Sequence, residues 1–234
     1  MQNTHLRYLP ILSLFAFNCL LIEPKKVEPV TVMINSTDYT QRVEFITDNV
    51  VVFDTSMITA LHADHLDVQQ WKNHIVVSKN PDSACKLCDL IKAGYPEVIT
   101  KLYDTIIYQF SRTNCIGIDT TFVKSKDIIL TANLVADTNL QKEYMEYHRT
   151  QFEKWPDVAK GFCNAGFQKL LVLKNGRQLM LIISIPENKT LDELNPKTTE
   201  NNPKMVEWNS LMKKYQEGIP GTKPGEVWVF LKPI

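Results

Sequence analysis

Tyr144 and His148 are the two side chains of this sequence best placed to move protons. They lie four residues apart in the run Glu143-Tyr144-Met145-Glu146-Tyr147-His148-Arg149, and that separation makes them neighbours on a helix surface. Histidine titrates near neutral pH, so such a pair on one rigid face can give a proton to one oxygen of a bound molecule and take a proton from another. Trp155, seven positions after His148, returns to nearly the same helix face. Trp208 lies further on, in Glu207-Trp208-Asn209-Ser210.

Two other groupings carry less chemistry. Cys85-Lys86-Leu87-Cys88 has the spacing of a thioredoxin-like redox motif. Asn80-Pro81 already opens the helix, however, so Cys85 sits past the terminus where the dipole would activate it. His62-Ala63-Asp64-His65-Leu66-Asp67 is similar to part of a metallo-hydrolase run, but Ala60 stands where its first histidine belongs, and a polar helix surface explains it as well. No metal is expected there, and no glycine-rich phosphate loop or nucleophile elbow is visible. Setting Cys19 aside, Cys85, Cys88, Cys115 and Cys163 are compatible with two disulfides or with four buried thiols.

The elements that must hold Tyr144 and His148 are legible around them. Residues 128–134 read as a strand leading into their helix, with Thr138 and Gln141 at capping-box spacing. Residues 167–173 and 178–185 flank Lys174-Asn175-Gly176-Arg177, a hairpin turn in which Asn-Gly supplies positive φ. Asn202 and Pro203 start a second helix with Met205, Trp208, Met212 and Tyr215 on one stripe, ending before Gly218, and residues 226–231 close as a strand. The fold class is α+β, in the ferredoxin-like order βαββαβ.

These blocks, in this order, resemble the L-rhamnose mutarotase family: the strand at 128–134, Glu143-Tyr144 with His148-Arg149, Trp155-Pro156-Asp157-Val158, Asn202-Pro203, Glu207-Trp208 with Tyr215-Gln216, and Lys223-Pro224-Gly225-Glu226-Val227-Trp228. The resemblance covers a little under half of the chain. It implies cofactor-free interconversion of the α and β anomers of a deoxy-hexose such as L-rhamnose or L-fucose, with His148 as proton donor and Tyr144 as its partner. It also implies that Trp155, Trp208, Asn209 and Leu170 occupy substrate-contact positions. Asn209 stands where the family has a second tryptophan, and Leu170 where it often has a tyrosine. An aromatic face suits the C–H side of a pyranose, whereas a tryptophan on an apolar stripe also serves as plain core. The family has three residues fewer between the histidine and the Trp-Pro. Taken as an insertion, the extra residues leave the Tyr144–His148 pair intact; aligned without a gap, the pair becomes Tyr147 and Gln151.

Residues 74–123 look like a partial copy of the same unit: a strand at 74–78, a helix opened by Asn80-Pro81-Asp82 and reaching Tyr95-Pro96-Glu97-Val98, then apolar runs at 105–110 and 116–122. A tandem repeat would form within one chain the dimeric α+β barrel that family members build as homodimers, an intrachain pseudo-dimer. On this reading the copy is inactive, with Ala84 and Cys88 opposite Tyr144 and His148. Residues 43–47 and 50–53 read as further strands and 57–71 as a helix.

The expected organisation is thus 1–26 as a signal plus linker, 27–125 as a degenerate α+β domain, and 126–234 as the mutarotase-like domain. Residues 8–22 are an apolar run after Arg7, too short to span a bilayer comfortably, with Cys19 where a lipoprotein signal places its lipidated cysteine. Export to a bacterial envelope is the expectation, by a signal peptide or by a lipoprotein signal with a lipid anchor at Cys19, although Asn18 departs from the small residue usual before that cysteine. Lysine plus arginine and aspartate plus glutamate number 26 each, so no net field recruits nucleic acid or an anionic membrane. A neutral sugar is the expected partner. The rival readings are a non-catalytic carbohydrate-binding or structural descendant and an oxygenase or haem protein sharing only the fold.

Overall fold

The computed structural model describes residues 41–47, 67–79, 81–117, 121 and 123–234. The apolar run around Cys19, the linker after it, the strand expected at 50–53 and His62 and His65 lie outside the described residues. All described elements fall within one unit, Ser36–Ile234.

In chain order, short helical turns aside, these are β1 (Gln41–Ile46), β2 (Asp67–Trp71), β3 (His74–Lys79), α1 (Pro81–Gly94), β4 (Ile99–Tyr103), β5 (Thr105–Ser111), β6 (Ser125–Leu134), α2 (Thr138–Arg149), α3 (Pro156–Ala165), β7 (Lys169–Asn175), β8 (Gln178–Pro186), α4 (Pro203–Met212), β9 (Gln216–Glu217), β10 (Val229–Phe230) and β11 (Lys232–Pro233). One sheet has the order β11-β2-β3-β1-β4, and the other β10-β6-β8-β7-β5 with β9 also on β6. Within the second sheet, β6, β7, β8 and β10 run fourth-first-third-second in space, with α2 and α3 between the first two strands and α4 before the last. This is the ferredoxin-like order expected from the sequence. The hairpin loop is Gly176-Arg177, and Gly176 alone takes positive φ there, at 57°. Asn175 instead pairs with Gln178 at the end of the ladder and donates Nδ2 to Leu102 O at 2.8 Å.

The N-terminal half is also ferredoxin-like in strand order, β4-β1-β3-β2, but not in the frame read from the sequence. Residues 74–123 are not the copy. β3 is the third strand of its unit, α1 follows it as the helix before the fourth, and β5 leaves for the other sheet, pairing with β7. The reason is β1: it pairs with both β3 and β4, so the unit has to begin near residue 41. Residues 67–71, read as helix, are strand, because β2 pairs with β3 through a two-residue turn in which Lys72 takes φ 50°. β11 pairs in turn with β2, so the two halves exchange edge strands across the boundary expected at 125.

Alternation sorts the faces. Val43, Phe45, Ile75 and Val77 pack outward against Ala84, Leu87, Cys88 and Ile91 of α1. Val76 and Tyr103 of the first sheet meet Ile129, Leu171, Leu173, Met180 and Ile182 of the second in the space between the sheets. That space also holds a buried polar knot: Glu44 accepts from the Tyr103 hydroxyl (2.7 Å) and Gln178 Nε2 (3.0 Å), and its other oxygen lies 2.7 Å from His74 Nδ1. The outer face of the second sheet packs under α2, α3 and α4 through Phe110, Leu130, Leu170 and Ile183. Cys115, just past β5, is disulfide-bonded to Cys163 of α3, with Cα atoms 5.7 Å apart. This bridge overturns the alternative of four buried thiols, and Cys88 is buried on α1. No described helix is long and apolar enough to cross a membrane.

Candidate active site

α2 starts at Asp137, whose carboxylate accepts from the amides of Asn139 (2.8 Å) and Leu140 (3.2 Å). The Thr138–Gln141 capping box expected from spacing does not form. A carboxylate outcompetes a hydroxyl for amides at the positive end of the helix dipole, and Gln141 reaches back to Val135 O at 2.9 Å instead. At the other end, the Thr150 hydroxyl donates to Glu146 O at 2.9 Å and α2 stops. The three extra residues are taken up by a separate turn, Gln151–Lys154, before Trp155 and the proline that opens α3. Tyr144 and His148 thus stay together on α2, while Gln151, of the ungapped alternative, lies on the turn that follows.

Both are buried, Tyr144 to 1% exposure and His148 to 8%. Their ring centroids are 4.2 Å apart. His148 Nδ1 lies 3.0 Å from Tyr144 O; a carbonyl only accepts, so Nδ1 carries the proton and Nε2 keeps its lone pair. Burial lowers the His148 pKa from 6.5 to about 4, leaving a neutral imidazole at physiological pH. Burial acts on Tyr144 in the opposite sense, raising its pKa so that the phenol stays protonated. Gln216 Nε2 donates to the Tyr144 hydroxyl at 3.4 Å, and Trp228 Nε1 fixes that amide by donating to Gln216 Oε1 at 3.1 Å.

Aromatic rings enclose the pair. Trp208 lies edge-on to His148 at 5.3 Å and to Trp155 at 5.6 Å, and Tyr147 packs edge-on against both tryptophans, at 6.4 Å from Trp155 and 6.2 Å from Trp208. α4 brings Trp208 here because Asn202 caps it, accepting from Met205 N at 3.1 Å while donating to Asp157 O of α3 at 2.7 Å. Leu170 lies in the same buried cluster. Asn209, one position beyond Trp208, is exposed, and no contact joins it to the pair.

Tyr108 was not found by reading the sequence. Its ring stands edge-on to His148 at 5.5 Å, and its hydroxyl donates to Gln151 Oε1 at 2.8 Å. A β-bulge between Ile106 and Tyr108 sends it there. Residues two apart normally share a face, yet Ile106 packs between the sheets and Tyr108 under the helices. Gln216 and Trp228 were passed over individually as well, although they lie in family-like blocks. Two clefts among the described residues, of about 490 Å³ beside Arg42, Lys169 and Ser184 and about 610 Å³ beside Gln69, Ile128 and Leu231, include neither Tyr144 nor His148. No described group of three or more His, Cys, Asp or Glu side chains is arranged to hold a metal ion.

The sequence profile of the L-rhamnose mutarotase family matches residues 128–234. An L-fucose mutarotase of Xanthomonas campestris is 28% identical over 92 residues, 39% of this chain and 72% of that one. A Dictyostelium discoideum protein designated UPF0734 is 31% identical over 99 residues, 41% of this chain and 77% of its own length. Among solved structures, an uncharacterized ferredoxin-fold protein of Listeria monocytogenes, related to antibiotic biosynthesis monooxygenases, is 11% identical with a TM-score of 0.39 over 83% of this chain and 95% of that one. The matched segment includes every helix and aromatic residue around Tyr144 and His148 except Tyr108, and over residues 128–234 the chain is similar to the L-rhamnose mutarotase family.

Proposed function

We propose that this protein interconverts the α and β anomers of a deoxy-hexose, L-fucose or L-rhamnose, without a cofactor. The observation that carries the reading is the contact of Tyr144 and His148 inside an aromatic shell, on the segment that matches the mutarotase family. The lone pair on His148 Nε2 takes the proton of the anomeric hydroxyl. The C1–O5 bond breaks with its electron pair going to the ring oxygen, and the imidazolium returns the proton to that oxygen, leaving an open aldehyde and a neutral histidine. One imidazole can serve both oxygens because both are bonded to C1. An imidazolium of pKa about 4 is a strong acid, so the donor role of His148 belongs to this second step. Tyr144, held protonated by burial, orients the sugar by hydrogen bonding and does not ionise. Rotation about C1–C2 and closure by the reverse transfers give the other anomer.

A second reading, a sugar-binding protein without turnover, is favoured by the near-complete burial of the pair and by an aliphatic Leu170 in the core. Dissolving pure α-L-rhamnose or α-L-fucose and following rotation with time separates the two. The account expects relaxation faster than in buffer. Binding without acceleration selects the second reading.

We also propose that the mature chain resides in the cell envelope and begins near Cys19. The Cys115–Cys163 disulfide supports an oxidising compartment. Mass spectrometry of protein from its host should show a truncated or lipidated N-terminus, and an intact Met1 contradicts this.

A further inference from the structure

Tyr108 belongs to the N-terminal half, outside the segment that matches the mutarotase family. Three observations converge on it. The β-bulge at Ile106/Tyr108 reverses the alternation of β5 and delivers the ring to the helix face. Its hydroxyl reaches the fully buried Gln151, whose Nε2 donates to Trp155 O at 2.8 Å. Its ring stacks at 5.7 Å on Phe152, which is 43% exposed. Gln151, Phe152 and Trp155 all belong to, or directly follow, the turn Gln151–Lys154.

The turn closes on itself through backbone bonds from Glu153 and Lys154 to Thr150 O and from Trp155 to Gln151 O. Thr150 and Trp155 flank it without side-chain caps, and Lys154 is exposed. Edge contact from Tyr108 is also one of the three aromatic walls of His148, the others being Tyr144 and Trp208. Among the described residues in contact with the His148 ring, the titratable ones are Tyr144 on its own helix and Tyr108 on β5; Trp208 on α4 does not ionise.

We infer that Tyr108 is a positioning residue of the active site, supplied by the N-terminal half: it wedges the His148 imidazole and anchors the turn that carries Trp155 to Trp208. The inference rests on the mutarotase reading for its kinetic consequence but not for its geometric one. The N-terminal unit is then a required part of the site. β5 does this because it has moved to the edge of the second sheet. A strand kept in its own sheet would not touch α2.

The test is the full chain carrying Tyr108→Leu or Tyr108→Phe, with two readouts. One is anomer exchange by NMR, resolved into kcat and KM. The other is the NMR titration of the His148 imidazole. For the leucine variant the expected result is a fall in kcat of about tenfold or more with little change in KM, since loosened geometry acts on the reacting group. The titration midpoint should rise from about 4 towards 6.5 as water reaches the ring. Phenylalanine keeps the wall but loses the anchor. It should hold the low midpoint and lose only part of the exchange rate, and it carries the test if the leucine variant does not fold. A folded leucine variant with wild-type exchange and an unmoved midpoint overturns the inference. If the wild-type protein shows no exchange, the mutarotase reading fails, while a midpoint that shifts in the leucine variant still places Tyr108 against His148.

Discussion

Acid should destabilise this protein through His148 by an amount that follows from its burial. The imidazole has a pKa of about 4 in the folded chain against 6.5 for an exposed histidine, a difference of 2.5. At about 1.4 kcal/mol per unit this is about 3 kcal/mol. A lowered histidine pKa means that the unfolded chain binds the proton first. Native stability is therefore intact above pH 6.5, is lost progressively as pH falls from 6.5 to about 4, and levels off below that. Urea unfolding of the wild type and of His148→Gln, followed by circular dichroism at several pH values across this window, isolates the term, because glutamine does not titrate and the other histidines cancel. The wild type should lose about 3 kcal/mol more than the variant between the two ends of the window. A difference that stays flat with pH, or an NMR midpoint for His148 near 6.5, would refute both the burial argument and the neutral-base mechanism built on it.

Three further outcomes are expected. Tyr144→Phe removes the hydroxyl that Gln216 holds; anomer exchange should fall by about tenfold or more while the acid limb of its pH profile stays near 4, since His148 is untouched. Gly161→Ala places a Cβ 2.6 Å from Thr198 O, a backbone atom beside the Asn202 cap, and should cost about 1–3 kcal/mol by overpacking, read as a lowered Tm together with a changed Trp208 environment. Cys115→Ser with Cys163→Ser opens a crosslink spanning 48 residues, for which chain entropy predicts a loss of about 4 kcal/mol by denaturant unfolding.

The second ferredoxin-like unit could be read from the sequence because its signals are local. Asn202 followed by Pro203 caps and opens α4 as composition suggests, and the stripe of Met205, Trp208, Met212 and Tyr215 is buried as its spacing requires. Asp137 was missed because Thr138 and Gln141 mimic a capping box one position later; the charge of the true cap, not the spacing, decided it. The frame of the N-terminal repeat was misread for a different reason. Tyr95-Pro96 copies Trp155-Pro156 locally, whereas the position of α1 in its unit depends on β1 pairing with both β3 and β4, which no short pattern encodes. Tyr108 was invisible for the same reason twice over. Its contact with His148 spans 40 residues of sequence, and a one-residue bulge cancels the alternation that would have been used to assign its face. The neutral state of His148 likewise follows from burial, to which Trp208 of α4 and Tyr108 of β5 contribute along with Tyr144 of α2.

Saturation-transfer NMR between the α and β anomers of L-fucose and of L-rhamnose, run with wild-type protein and with His148→Gln side by side, tests the central claim most directly. The account predicts transfer of saturation well above the buffer rate for one of the two sugars with the wild type, and a return to the buffer rate with a folded His148→Gln protein. Equal transfer by the two proteins, or none above buffer by the wild type, would contradict it.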